Sequence, residues 1–284
     1  MGNFREFGKM ILKHKIQSEF FSTAHNAAIT GTGWPNRDTL KKLGFKVHRQ
    51  ISFRQLNIDI VAAPGHDCYF LIGEWHDQPY VVSVGRVHLY QNCGRYGEES
   101  PLRQWLAVLF AVIGGGTRIV ATSAVGGQGE GIEDGMITMP TGIHAIGVST
   151  PHLIGDEFTS PEMLLQDPDG RRASIFTKVA DKSGLSCKTD TGHRVIEGRR
   201  FGNKLSRQVY LAEGCQTVGM SLVPVLDAAC VENRDRADNP IKVMPALYVT
   251  DAHDFPDSND IASRAKQDAP KLAKFLDAMV QEEW

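Results

Sequence analysis

The segment Gly85-Arg86-Val87-His88-Leu89-Tyr90 follows directly on the apolar run Pro79-Tyr80-Val81-Val82-Ser83-Val84. In an extended chain residues two apart point to the same side, so a buried strand ending here delivers a guanidinium fork and an imidazole together. Such a pair can grip an oxyanion, because arginine offers paired planar donors and histidine a further one. Taken alone, the pattern describes a surface ion pair just as well. Three other turns keep it company, each after an apolar run: Gly31-Thr32-Gly33, Thr122-Ser123-Ala124-Val125-Gly126-Gly127 and Gly219-Met220-Ser221. Ligands of open α/β sheets bind beyond the carboxyl ends of strands, where turns of this kind cluster. The hydroxyls of Thr32 and Ser221, the backbone N–H of Ala124 and the cations of Arg86 and His88 then form one set of donors for a phosphate. Gly33 runs into Trp34-Pro35-Asn36, so the first turn is too short for a dinucleotide fingerprint and no nicotinamide cofactor is indicated.

The elements that must hold these turns are legible as strand-like runs at 25–30, 69–75, 79–84, 118–122, 194–196, 217–219 and 243–249. Helical spacing marks 101–113, 203–213 and 223–233. Near the C-terminus Ile261, Ala265, Leu272, Phe275, Leu276 and Met279 share one face; Pro270 either kinks that helix or starts a second one. An amphipathic helix over 4–21 reads as an N-terminal cover within residues 1–22. Strands alternating with helices, with no repeat or linker, predict a single α/β domain over 1–284, its central mixed β-sheet flanked by helices. Residues 91–100 and 150–190, the latter rich in Pro, Gly, Asp and Ser, read as long loops.

Bulk properties exclude several classes. The 284 residues are 42% hydrophobic, enough for a full core, and the formal charge of −2 is spread evenly, with no basic footprint for nucleic acid or an anionic membrane. Five cysteines, widely spaced and without a C-x-x-C pair, argue against a disulfide framework or a metal site and for a reducing compartment. No apolar run reaches membrane-spanning length and the N-terminal charges rule out a secretory h-region, so a cytoplasmic protein is expected.

Several of these segments resemble, in order, the motifs of the trimeric purine nucleoside phosphorylase and methylthioadenosine phosphorylase family. Pro64-Gly65-His66 is similar to its V-P-G-H turn, 85–90 to G-R-x-H-x-Y, 122–127 to T-N-A-A-G-G, 196–201 to I-E-G-P-R-F and 218–224 to V-G-M-S-T-V-P. The resemblance extends over 27–275. It implies a phosphorylase/hydrolase-like fold, a homotrimer, inorganic phosphate as co-substrate and neither metal nor other cofactor. Thr32, Arg86, His88, Ala124 and Ser221 fall on phosphate-binding positions. Tyr90, Met220 and His66 fall on the ribose side, and Phe201, Val125, Thr250 and Asp251 on the base side, with Phe201 as the stacking surface. Arg86, His88 and Asp251 are the implied catalytic residues.

Phosphorolysis of an N-glycosidic bond needs an anionic nucleophile on one face of the sugar and a tolerable leaving group on the other. A buried carboxyl at Asp251 could share a proton with purine N7 and accept from an exocyclic amine, which predicts preference for 6-aminopurine nucleosides such as adenosine or methylthioadenosine. A 6-oxopurine phosphorylase, a hydrolytic nucleosidase and a non-catalytic nucleoside-binding protein are the alternatives. The chain departs from the family pattern at Gly202, where 6-oxopurine enzymes carry glutamate, at Gln91-Asn92 and at Val225, which thins the phosphate-side network. Ser258 stands near where some members use a histidine for the 5′-hydroxyl, with His253 as a substitute. Residues 232–239 read as a charged inserted loop, and Gly155-Asp156-Glu157-Phe158 faintly resembles a loop reaching a neighbouring subunit through Ile154 or Phe158.

Overall fold

The computed structural model describes residues 26–56, 67–88, 116–146, 148, 160–198, 202–234, 236–252 and 258–284. The expected helices over 4–21 and 101–113, the loop 91–100, and Tyr90, His66 and Phe201 lie outside the described residues. Nine strands order the rest: β1 Asn26–Thr30, β2 Lys46–Ser52, β3 Tyr69–Trp75, β4 Gln78–Val84, β5 Arg118–Gly127, β6 Ile137–His144, β7 Cys187–Val195, β8 Cys215–Gly219 and β9 Lys242–Asp251. Interspersed among the described residues are helices α1 Arg37–Lys42, α2 Arg171–Ser183, α3 Lys204–Ala212, α4 Val223–Asn233, α5 Ser258–Gln267 and α6 Ala269–Gln281. No helix among them is long and apolar enough to cross a membrane.

The sheet runs β2-β3-β4-β1-β5-β8-β7-β6-β9, and a further pairing of β9 with β5 closes its second half into a barrel. It is mixed, as expected: β1 is parallel to β4 and β5, and β5 to β9, whereas β2–β3, β3–β4, β5–β8 and β6–β9 are antiparallel. The parallel core strands carry apolar residues on both faces because helices cover both. Alternation sorts them. Ala27, Ile29, Val81, Ile119 and Val243 pack with α4, whereas Ala28, Val82, Val120 and Met244 pack with α2 and α6 around Phe176 and Phe275. α4 buries nearly every side it has, including Val223, Val225, Leu226, Ala228 and Ala229.

Three expectations are corrected. Residues 150–190 are not one loop: α2 and the start of β7 lie within them, and the Asp, Pro and Gly of 167–170 punctuate the start of the helix, with Asp167 accepting from the N–H groups of Arg172 (3.1 Å) and Ala173 (2.8 Å). Residues 122–127 are no turn but the second half of β5, held by β9 on one side and β8 on the other. The charged loop expected at 232–239 begins inside α4, where Glu232 is fully buried. At Pro270 the C-terminal helix divides in two, the proline lying in the first turn of α6 where its missing N–H costs nothing.

Candidate functional site

Register sets the site. Thr30 pairs with Val84, and Ile29 with Ala121, so β1 and β4 end level with Thr122 of β5. Thr32, Arg86 and Ala124 each lie two residues beyond that level. From the other side β8 runs antiparallel, with Gly126 opposite Val218. Continued, this places Gly219 against Val125, where a β-carbon on the glycine would lie 3.0 Å from Val125 Cγ1, and brings Ser221 back beside Ser123. Hydrogen bonds lock the rim: Gly85 N–H donates to Thr30 O (3.0 Å), Ser83 Oγ to Gly85 O (2.6 Å) and Thr122 Oγ1 to Ile29 O (2.7 Å). Gly85 adopts φ +91°, a left-handed turn that glycine makes without strain, and so aims Arg86 back over β5.

Arg86 donates from Nη1 to Thr122 O (2.7 Å) and from Nη2 to the hydroxyl of Ser123 (3.1 Å). Arg86, Ser123 and Ser221 line one small cavity of about 10 Å³ together with Leu222, which caps the start of α4, and Val225 of its first turn. Burial lowers the Arg86 guanidinium to about 10, which still leaves it cationic at neutral pH. His88, two residues on, is buried as well. Thr32 is half-buried in the turn that Trp34 N–H closes on Gly31 O (3.0 Å), and Met220 is half-buried beside Ser221. The strand end, the three-residue turn and the start of α4 thus gather Arg86 and Ser221 with Ser123, which the segment 122–127 carries but whose hydroxyl no local pattern singles out.

The other end of the site lies farther along β5. Asp251, at the end of β9, is opposite Gly126 and buried. Ser123 and Gly126 are three residues apart on β5, about 10 Å at roughly 3.3 Å per strand residue. Between them Ala124 and Gly126 are part-exposed, whereas Val125 turns its side chain into a small core with Ile132, Met136, Leu247 and Val249. Strand alternation thus packs the Val125 side chain within that small core. Thr250 is likewise turned inward: its hydroxyl lies 3.2 Å from Val125 O and 3.0 Å from Asp251 Oδ1. Its hydroxyl thus ties the end of β9 to β5 beside the Asp251 carboxylate.

Asp251 is not a lone carboxyl. Its Oδ2 accepts from Arg207 of α3, and Arg207 Nη1 also donates to Gly127 O (3.1 Å) and to the backbone carbonyl of Asp251 (3.4 Å). Arg207 was missed because nothing local marks it; α3 brings it to a partner 44 residues away. The residues flanking Phe201, namely Glu197, Gly198, Gly202 and Asn203, line a second cavity of about 450 Å³ with Ser206 and Tyr210 of α3.

No family model matches the chain. Over 111 residues it is 31% identical to the S-methyl-5'-thioadenosine phosphorylase of Nitrosopumilus maritimus (strain SCM1), a stretch covering 39% of this chain and 42% of that protein. The match thus spans less than half the length of the relative. The fold extends further: a Schistosoma purine nucleoside phosphorylase in complex with hypoxanthine superposes with a TM-score of 0.74 over 97% of both chains at 16% identity. The Schistosoma mansoni enzyme in complex with adenosine gives 0.71 over 98% of this chain and 97% of its own at 17% identity. The partial sequence match is to a protein of the family that the motifs resemble, and the structural likeness is one of fold.

Proposed function

We infer that this chain, which has the nucleoside phosphorylase fold and carries that family's motifs in order, cleaves the N-glycosidic bond of purine nucleosides with inorganic phosphate. The observation that carries this reading is the single strand β5, which meets Arg86 and Ser221 at Ser123 and, about 10 Å farther on, Asp251 at Gly126. In the proposed mechanism phosphate enters beside Arg86, which exchanges its hold on Thr122 O and Ser123 for the anion, with Thr32, His88, Ser221 and the Ala124 N–H as further donors. The first turn of α4 adds the positive end of its dipole there. The sugar lies over Ala124 beside Met220 and the base reaches Gly126 and Asp251, while the family resemblance alone assigns Tyr90 and His66 to the ribose and Phe201 to the base. Attack forms a bond from a phosphate oxygen to C1′ while the C1′–N9 pair leaves with the purine, giving free purine and a pentose 1-phosphate. No cofactor beyond phosphate takes part, and a cytoplasmic homotrimer is the assembly that accompanies this reading.

Purine release is to be measured with and without inorganic phosphate. Strict dependence is expected, together with a fall of at least about a hundredfold in kcat/KM for phosphate in Arg86→Ala. Phosphate-independent release would instead identify a hydrolytic nucleosidase, and binding of nucleosides with no release a non-catalytic binding protein.

A further inference from the structure

We propose that Asp134 is a positioning residue for this site: with Arg264 of α5 it anchors a bulge at the end of β9 that turns the Asp251 carboxylate away from the apolar core beneath. The proposal rests on the nucleoside phosphorolysis reading and adds to it a residue that acts through another. Register shows the bulge. Val125 of β5 pairs with Val249 of β9, yet the next residue, Gly126, pairs with Asp251, so Thr250 is one residue too many. Burial shows its effect. In an unbroken strand Asp251 would share the face of Val249, which packs with Val125, Ile132, Met136 and Leu247; instead Ala252 joins that core. The Asp251 carboxylate is set against the backbone of β5, where a β-carbon added to Gly126 would lie 3.3 Å from Oδ2 and 3.6 Å from Oδ1.

An extra residue breaks the ladder locally, so the strand must be held from outside it. The segment leading into β6 does so on both sides of the bulge. Ahead of it, Gly135 N–H donates to Val249 O (2.9 Å) and Val249 N–H to Met136 O (2.8 Å); beyond it, Ala252 N–H donates to Asp134 Oδ1 at 2.6 Å. Of these three bonds the last is made by a side chain, and its carboxylate acceptor makes it charge-assisted. The other oxygen, Oδ2, is ion-paired with Arg264, which fixes the direction of the first. The side chains of Asp134 and Arg264 stay 34% and 37% exposed, so their charges contribute little to stability. What the pair fixes is the course of the peptide that follows Asp251. A displacement of about 1 Å at a reacting group can cost on the order of a hundredfold in rate.

The test separates alignment from folding. Asp134→Ala removes the acceptor for Ala252 N–H, whereas Asp134→Asn keeps an oxygen there. Phosphorolysis of adenosine and inosine by the full chain is followed with phosphate varied, at a temperature where circular dichroism shows each variant folded. In Asp134→Ala kcat is expected to fall at least about tenfold with KM for phosphate within about twofold of the wild type, because Arg86 keeps its own bonds to Thr122 and Ser123; Asp134→Asn restores most of the rate. Exchange of the Ala252 amide with deuterium oxide, read by NMR, is expected to quicken in Asp134→Ala. An unchanged kcat in the folded Asp134→Ala protein overturns the proposal, as does an equal loss in Asp134→Asn. Should Asp134→Ala not fold, Arg264→Met, which releases Oδ2 alone, must lower kcat at an unchanged KM for phosphate; an unchanged kcat there overturns the proposal as well. Absence of phosphate-dependent release by the wild-type chain sinks the phosphorolysis reading, whereas unaltered exchange at Ala252 in Asp134→Ala sinks the anchoring whatever the turnover.

Discussion

At Asp251 a single hydroxyl shows how little separates a structural role from a functional one. Thr250 lies between Val125 O and Asp251 Oδ1 with one proton for both, so it ties β9 to β5 and orients the carboxylate in the same act. Thr250→Val keeps the shape and removes the donor. Urea unfolding should show a loss of about 1–3 kcal/mol, with kcat/KM falling alongside as the carboxylate loses its bearing. A similar dependence holds far from the site, where fully buried Trp75 donates its indole N–H to Asp277 Oδ1 at 2.9 Å. Asp277→Ala should cost a comparable amount of stability and leave phosphate-dependent turnover unchanged at temperatures where the protein stays folded. Residues of the first kind are only partly legible in a sequence. Arg86 and Ser221 could be read because each sits in a contiguous motif next to the strand or helix that aims it. Arg207 could not, since an arginine on an amphipathic helix has no local mark that distinguishes a solvated cation from one that will meet a buried aspartate.

The elements behave the same way. Strand β3 and helix α4 fall where periodicity and flanking signals put them, because β3 opens on the apolar run 69–72 and Pro224 opens α4. β2 was invisible: it is an edge strand whose polar residues face solvent over most of its length. β6 contains Pro140 and Gly142, both of which argue against a strand, and its register with β7 shifts around them. What positions the rim can still be tested at the turn after β1. Gly33 has φ +80°, and a β-carbon there would lie 2.3 Å from Ala265 Cβ of α5. Gly44, at φ +86°, has nothing within 4 Å of the same point. Gly44→Ala should therefore lose about 1 kcal/mol from strain alone, and Gly33→Ala markedly more, because it must also push α5 off the turn that carries Thr32. Equal melting temperatures for the two variants would mean that α5 does not brace this turn.

For the whole molecule, closure of β5-β8-β7-β6-β9 into a barrel places polar side chains where no solvent reaches them. Thr191, His193 and Val195 alternate inward on β7, and the His193 ring packs against Gly219, whose absent β-carbon would lie 3.1 Å from Cε1. Thr217 donates its hydroxyl proton to Gly192 O at 3.3 Å and so accepts from His193 Nδ1–H at 2.9 Å, which fixes a neutral tautomer. Burial lowers this histidine from 6.5 to about 3. Between those values the unfolded chain binds a proton that the folded one refuses. Stability is therefore complete above about pH 6.5 and is lost as pH falls through that window, at up to about 1.4 kcal/mol per pH unit from this one group. Other carboxylates and histidines titrate over the same range, so the comparison must be between variants. Urea unfolding of the wild-type chain and of His193→Phe, from about pH 7 down to about pH 4, should give a stability difference that shifts in favour of the variant as pH falls, because phenylalanine has no proton to take up. A difference independent of pH would show that water reaches the imidazole, and that the barrel is not closed where β7 and β8 pair.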